Sequence, residues 1–166
     1  MLFRSATGAP PNGPVLVARA VVTWHRVVTP RLHLRVVDRE DDARNGIRVH
    51  FMRAGALFGE TVPRVDRQTG TIMQAEVAIA GDTRGESLES QIEVYLTALH
   101  ELGHALGLAH TDQFADIMYR FQAPDDATRY FARYRARVKT PSDIGTPRAS
   151  GLSPDDARRL RSLYGR

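Results

Sequence analysis

The chain contains no cysteine. Disulfide cross-links are therefore excluded, and so is a metal site built on thiolates. No apolar run approaches the ~20 residues that a membrane-spanning helix requires. The stretch from Met1 to Pro14 has too short an apolar run to read as a secretory signal peptide. Histidine is scarce, with six in 166 residues, so any cluster of them is informative. What remains is an ordinary globular balance of 42% apolar and 25% charged residues. That suits a single domain around one core. A net charge of +4 and a pI near 9.9 favour acidic surfaces only mildly.

Three of the six histidines fall in one stretch, His100-Glu101-Leu102-Gly103-His104-Ala105-Leu106-Gly107-Leu108-Ala109-His110. It fits the pattern H-E-x-x-H-x-x-G-x-x-H at every fixed position. On a helix, His100 and His104 project from one face and can grip the same ion. Glu101 lies beside the first ligand, within reach of a water on that ion. Gly107 permits a left-handed backbone that ends the helix and turns the chain back. His110 then arrives from another direction. Three nitrogens and one open position are the arrangement of a catalytic zinc rather than a structural one. A bare H-E-x-x-H arises by chance on ordinary surface helices, whereas five fixed positions together make chance a poor account.

Shortly after comes Asp116-Ile117-Met118-Tyr119. The zinc motif followed by Ile-Met-Tyr resembles the metzincin metalloproteases, and more narrowly the matrixins, the group of the matrix metalloproteinases and their bacterial relatives. The likeness covers roughly residues 14–119 and 152–165. The resemblance implies an α+β zincin-like fold: a twisted, mostly parallel sheet with an antiparallel edge strand, a backing helix, an active-site helix and a C-terminal helix. It implies a single catalytic domain over residues 1–166, with an irregular segment at 1–13 and an insert at 120–151. It further implies a zinc endopeptidase with one catalytic zinc on His100, His104 and His110, and Glu101 as general base. Met118 would support the site from a tight turn. Leu96, Ala75, Val77 and Tyr119 are the candidate substrate-binding residues.

By the same resemblance the partners are protein or peptide substrates of a monomeric enzyme that is secreted or periplasmic, with no nucleic acid. The chain departs from the family at Arg120, where matrixins have proline. Arg120 also occupies the place where astacin-type metzincins carry a second tyrosine, so no tyrosine switch is expected. Residues 53–68 hold no histidine, so the second, structural zinc of vertebrate matrixins is not expected. Structural calcium, common in the family, finds only Asp82, Glu86 and Glu89, which are sparse and irregular. With no cysteine, the chain carries no cysteine switch.

Taken in order, Leu2 to Arg4 resemble a remnant of the first strand with which matrixins begin. Pro14 to about Val27 reads as a helix, with Val17, Ala20, Val21, Trp24 and Val28 at helical spacing. Leu32, Leu34 and Val36 alternate as a half-buried strand, Asp38 to Asn45 form a charged loop, and Ile47, Val49 and Phe51 alternate as a second strand. Residues 72–80 alternate again and resemble the edge strand above the cleft, where an extended peptide can pair by main-chain bonds. Ser90 with Glu93 fits a capping box for the active-site helix. Pro124 to Asp126 open a helix with an apolar stripe of Tyr130, Tyr134 and Val138 beside a basic one of Arg129, Arg133 and Arg137. Residues 141–151 form a loop that could rim the cleft. Ser153, Pro154 and Asp156 begin the last helix, with Leu160 and Leu163 facing inward. Two other readings stay open: an inactive zinc-containing peptide-binding module, and a nucleic-acid binder resting only on pI and the basic stripe.

Overall fold

The structure, a computed structural model, describes residues 2–3, 9–37, 46–53, 55, 58–81 and 86–164. Helix α1 spans Gly13–Val28 with Pro14 in its first turn, where the missing N–H breaks no helical bond. Its buried stripe is Leu16, Val17, Ala20, Val21, Trp24 and Val28, the spacing expected of a helix packed along one face. Trp24 is fully buried and donates its Nε1–H to Leu99 O at 2.8 Å. The largest apolar side chain of α1 thus has its one polar atom satisfied.

The strand expected at Leu32, Leu34 and Val36 is not formed, and residues 32–36 lack regular structure. Leu34 donates its N–H to His25 Nδ1 at 3.2 Å, so the segment bonds back to α1 rather than into a ladder. The charged loop at 38–45 lies outside the described residues, as do Asp82 and Arg4.

Four strands make one sheet: β1 Leu2–Phe3, β2 Ile47–Arg53, β3 Gly59–Val65 and β4 Ile72–Gly81, in the order β1-β2-β4-β3. β1, β2 and β4 are mutually parallel, and β3 runs antiparallel to β4 at one side. This is the α+β architecture that the resemblance implied, with one correction. Residues 72–80 do not form the edge: β4 is paired on both sides and buries Ala75, Val77 and Ile79. The antiparallel edge is β3, a segment that Pro63 disguises, because proline within a run argues against a strand. Phe58 O accepts the Ala80 N–H at 2.7 Å. Alternation along an antiparallel pair then turns the main-chain groups of Gly59, Thr61 and Pro63 away from β4. Pro63 therefore removes no bond from the β3–β4 ladder.

Helix α2, Leu88–Ala105, packs against α1, β3 and β4. Ile92, Leu96, Leu99 and Leu102 line its buried side. Its cap is Ser87, whose side chain accepts the Ser90 N–H at 3.1 Å, so the helix begins earlier than Ser90. Helix α3, Asp126–Arg135, buries Tyr130 and Tyr134. Two short 3-10 turns follow at Pro141–Asp143 and Pro147–Ala149. They pack on the body of the molecule, not on the cleft: Tyr134 donates its hydroxyl to Ala149 O and Tyr95 to Ser150 O, each at 2.6 Å. Helix α4, Pro154–Tyr164, is capped reciprocally, with Ser153 Oγ accepting the Asp156 N–H and Asp156 Oδ2 accepting the Ser153 N–H. Leu160 is fully buried, but Leu163 is 53% exposed. The inward face of α4 follows Asp156, Leu160 and Tyr164 at steps of four, and Leu163 lies beside it.

Replacing Trp24 with alanine removes the side chain that joins α1 to α2. The expected loss is about 3–5 kcal/mol, read as a lower urea midpoint with an unchanged m-value.

Candidate active site

Helix α2 ends in a Schellman turn. Gly107, at φ 95°, donates its N–H to His104 O, and Leu108 donates to Gly103 O, both at 2.9 Å. Only glycine adopts that backbone without strain. The turn reverses the chain and returns His110 to the helix end. The three Nε2 atoms converge: His100 to His104 is 3.1 Å, His104 to His110 is 3.1 Å and His100 to His110 is 3.2 Å.

The far side of two rings is held by main-chain oxygens. His100 Nδ1 lies 2.6 Å from Ile117 O, and His104 Nδ1 lies 2.8 Å from Leu108 O. A carbonyl only accepts, so each Nδ1 must carry the proton and each Nε2 presents a bare lone pair. Lone pairs this close repel unless a cation lies between them. Four-coordinate zinc with bonds of ~2.0–2.1 Å places ligand nitrogens ~3.3 Å apart, close to the spacing found. Burial pushes His100 down to about 4, and His110 is lowered by the same cause. Both effects favour the neutral, ligating form. Among the described residues this is the one group of three or more such side chains able to share a metal ion.

Glu101 turns from the same helix toward β3 and is 7% exposed. Burial raises its pKa, opposed by a hydrogen bond from Thr61. Beneath the histidines, residues 111–120 close on themselves. Thr111 donates its N–H to Met118 O, and Arg120 donates to Thr111 O, both at 2.8 Å. Met118 is fully buried, and a Cβ built on Gly103 would collide with its Sδ. The close fit of that turn under α2 requires glycine at position 103.

The comparisons with known proteins agree with this geometry. The matrixin family model matches residues 14–132. The chain belongs to the matrixin family. It is 30% identical over 131 residues to matrix metalloproteinase-25 of Mus musculus, covering 71% of this chain and 18% of that protein. With matrix metalloproteinase-25 of Homo sapiens it shares 28% over 165 residues, 92% of this chain and 25% of that protein. The chain thus spans a quarter or less of those relatives' length. Membership of the family supports a function of the metalloprotease type.

A cleft of about 550 Å³ runs from the histidines between β3 and α3. Of the candidate substrate-binding residues, only Leu96 lines it. Ala75 and Val77 are 1% and 0% exposed within β4, inside the sheet rather than at its edge. Tyr119 is 8% exposed and donates its hydroxyl to Asp126 Oδ2 at 2.9 Å. It holds the turn to α3 and does not line the cleft. The walls that the sequence did not disclose are Phe58, Gly59 and Thr61 on one side and Phe121, Ala127 and Phe131 on the other. Phe58 and Phe131 meet edge to face across the cleft, 5.3 Å between ring centroids. The aromatic residues following the methionine were the available signal, but nothing local says which wall they join.

Asp126 Oδ2 also accepts the N–H groups of Gln122 and Ala123, each at 2.9 Å. Those two bonds and the Tyr119 hydroxyl hold its carboxyl below the ordinary 3.8. A depressed carboxyl stabilises the fold above its unfolded pKa, and the contribution is lost as pH falls through the folded value. Asp126→Asn should therefore lower the urea midpoint most at pH 7. The gap from wild type should close progressively below about 3.8, which denaturation at a series of pH values would show.

Proposed function

We propose that this matrixin is a zinc endopeptidase that cleaves extended polypeptide segments outside the cytoplasm, with His100, His104 and His110 as metal ligands and Glu101 as general base. The observation that supports it most is the triangle of converging Nε2 atoms, two of them bare, with an intact Glu101 at its rim. A bound zinc ion supplies Lewis acidity there, lowering the pKa of a water toward ~7 and drawing charge from the substrate carbonyl.

The chain's own residues supply the rest. Glu101 takes the proton of the attacking water on its carboxylate and returns it to the leaving amine nitrogen. The outward main-chain groups of Gly59 and Thr61 offer an extended peptide a ladder on the free side of β3. Such pairing binds a backbone irrespective of most side chains and lays it across the histidines. Selectivity falls to the apolar cleft, whose aromatic lining suits a large apolar side chain just after the scissile bond. Met118 supports the histidines by packing, without ligating.

A mixed peptide library, digested with and without a zinc chelator, tests the reading. Glu101→Ala should keep its zinc and lose turnover by about 10²–10⁴-fold, the usual worth of a positioned base. Near-wild-type turnover in that variant would remove Glu101 from the mechanism. His110→Ala leaves two protein ligands and should release zinc on dialysis; full retention, measured by metal analysis, would exclude His110 as a ligand. A folded, zinc-loaded wild-type protein that binds peptides but cleaves none would instead be a binding module.

A further inference from the structure

We infer that Thr61 is the positioning residue for Glu101, and that through it the strand that seats the substrate also aims the base. This rests on the peptidase reading above. Thr61 Oγ1 lies 2.6 Å from Glu101 Oε2 and 3.0 Å from Glu101 O. The hydroxyl has one proton, and the carboxylate oxygen is both the nearer and the stronger acceptor. The carboxylate is thus pinned by one oxygen, which leaves Oε1 as the atom free to accept a proton.

The fit around Glu101 is close on the strand side as well. A Cβ on Gly59 would lie 2.7 Å from Glu101 Cγ and 2.9 Å from Oε1. The side chain therefore runs directly under β3, and only glycine at 59 leaves it room. Gly59 and Thr61 sit two residues apart and share one face of the strand, so a single stretch of β3 both clears and fixes the carboxylate. The main-chain groups of the same two residues point to the open edge, where the peptide would pair. Movement of the edge strand as substrate binds is transmitted to Glu101 through a single hydrogen bond. A carboxylate with three torsions between backbone and oxygen otherwise samples several rotamers, and only some of them face the histidines.

The consequence is a separation of kinetic effects. Thr61→Val keeps the shape and the strand preference of the side chain but removes the hydroxyl. It should lower kcat by about 10- to 100-fold with little change in KM, because the main-chain ladder is intact. Thr61→Ser restores the hydroxyl and should restore kcat. Gly59→Ala, which pushes on Glu101 from above, should lower kcat in the same way. Zinc content should be that of wild type in all three. A readout independent of turnover is the carboxyl ¹³C resonance of Glu101 in the metal-free, glutamate-labelled protein, assigned with Glu101→Gln. It should move in Thr61→Val and stay in place in Thr61→Ser.

An unchanged kcat in Thr61→Val, in a wild-type background that cleaves, would overturn the role of Thr61 and leave the peptidase reading standing. A raised kcat would also overturn it, marking the hydroxyl as a brake. Loss confined to KM would assign Thr61 to substrate binding alone. Absence of chelator-sensitive cleavage by the wild type would overturn both readings together.

Discussion

The structure depends on keeping three imidazole nitrogens within 3.2 Å of one another. Without a cation the bare nitrogens of His100 and His104 repel, so the fold must hold that pair against its own electrostatics. Two devices do so. Main-chain carbonyls at Ile117 and Leu108 fix the protons of His100 and His104 on the outer nitrogen. The Schellman turn at Gly107 fixes where the third histidine enters. Both are backbone interactions, which makes the site rigid before any ligand arrives.

That origin explains what the sequence revealed. The spacing of His100, Glu101, His104, Gly107 and His110 is dictated by helical geometry and one left-handed residue, so the cluster is readable from local pattern alone. Helix α1 is equally readable, since Val17, Val21, Trp24 and Val28 carry a strong period. The edge strand was not. β3 combines a glycine forced by Glu101 with a proline tolerated only because its N–H would point away from β4. Each is a tertiary consequence, and together they erase the local signature of a strand. β4, with alternating Ala75, Val77 and Ile79, is matched to the edge strand by resemblance, and alternation cannot correct that because it says nothing about neighbours. The same limit hid the walls of the cleft, where Phe58 and Phe131 are 73 positions apart in sequence and meet only in the fold.

The cleft divides the chemistry from the selectivity. The histidine cluster is built by α2 and the turn that follows it. The far wall is built by side chains between Arg120 and Phe131. Tyr119 joins the two parts, closing the turn on one side and anchoring to Asp126 at the start of α3 on the other. Changes in the wall can therefore alter which side chains fit without moving the histidines.

The last helix lies beyond the matched residues 14–132, yet it bonds to the main chain around the histidines. Asp156 accepts the Ile117 N–H at 2.8 Å, while the oxygen of that same residue receives His100. Arg159 donates to Ala109 O at 3.0 Å, one residue before His110. Tyr164 donates its hydroxyl to Leu106 O at 3.1 Å, at the cap of α2. Three side chains on one helix thus bond to main-chain groups behind His100, before His110 and at the turn between. A buried carboxylate such as Asp156, fully enclosed and raised by desolvation, is costly to keep in a core for packing alone. Its two N–H partners lie at the turn beneath the zinc motif and at the cap of α4. Through Oδ2 the carboxyl locks α4 to the turn behind His100, and the geometry of a site built from residues 100–110 is completed by residues 156–164.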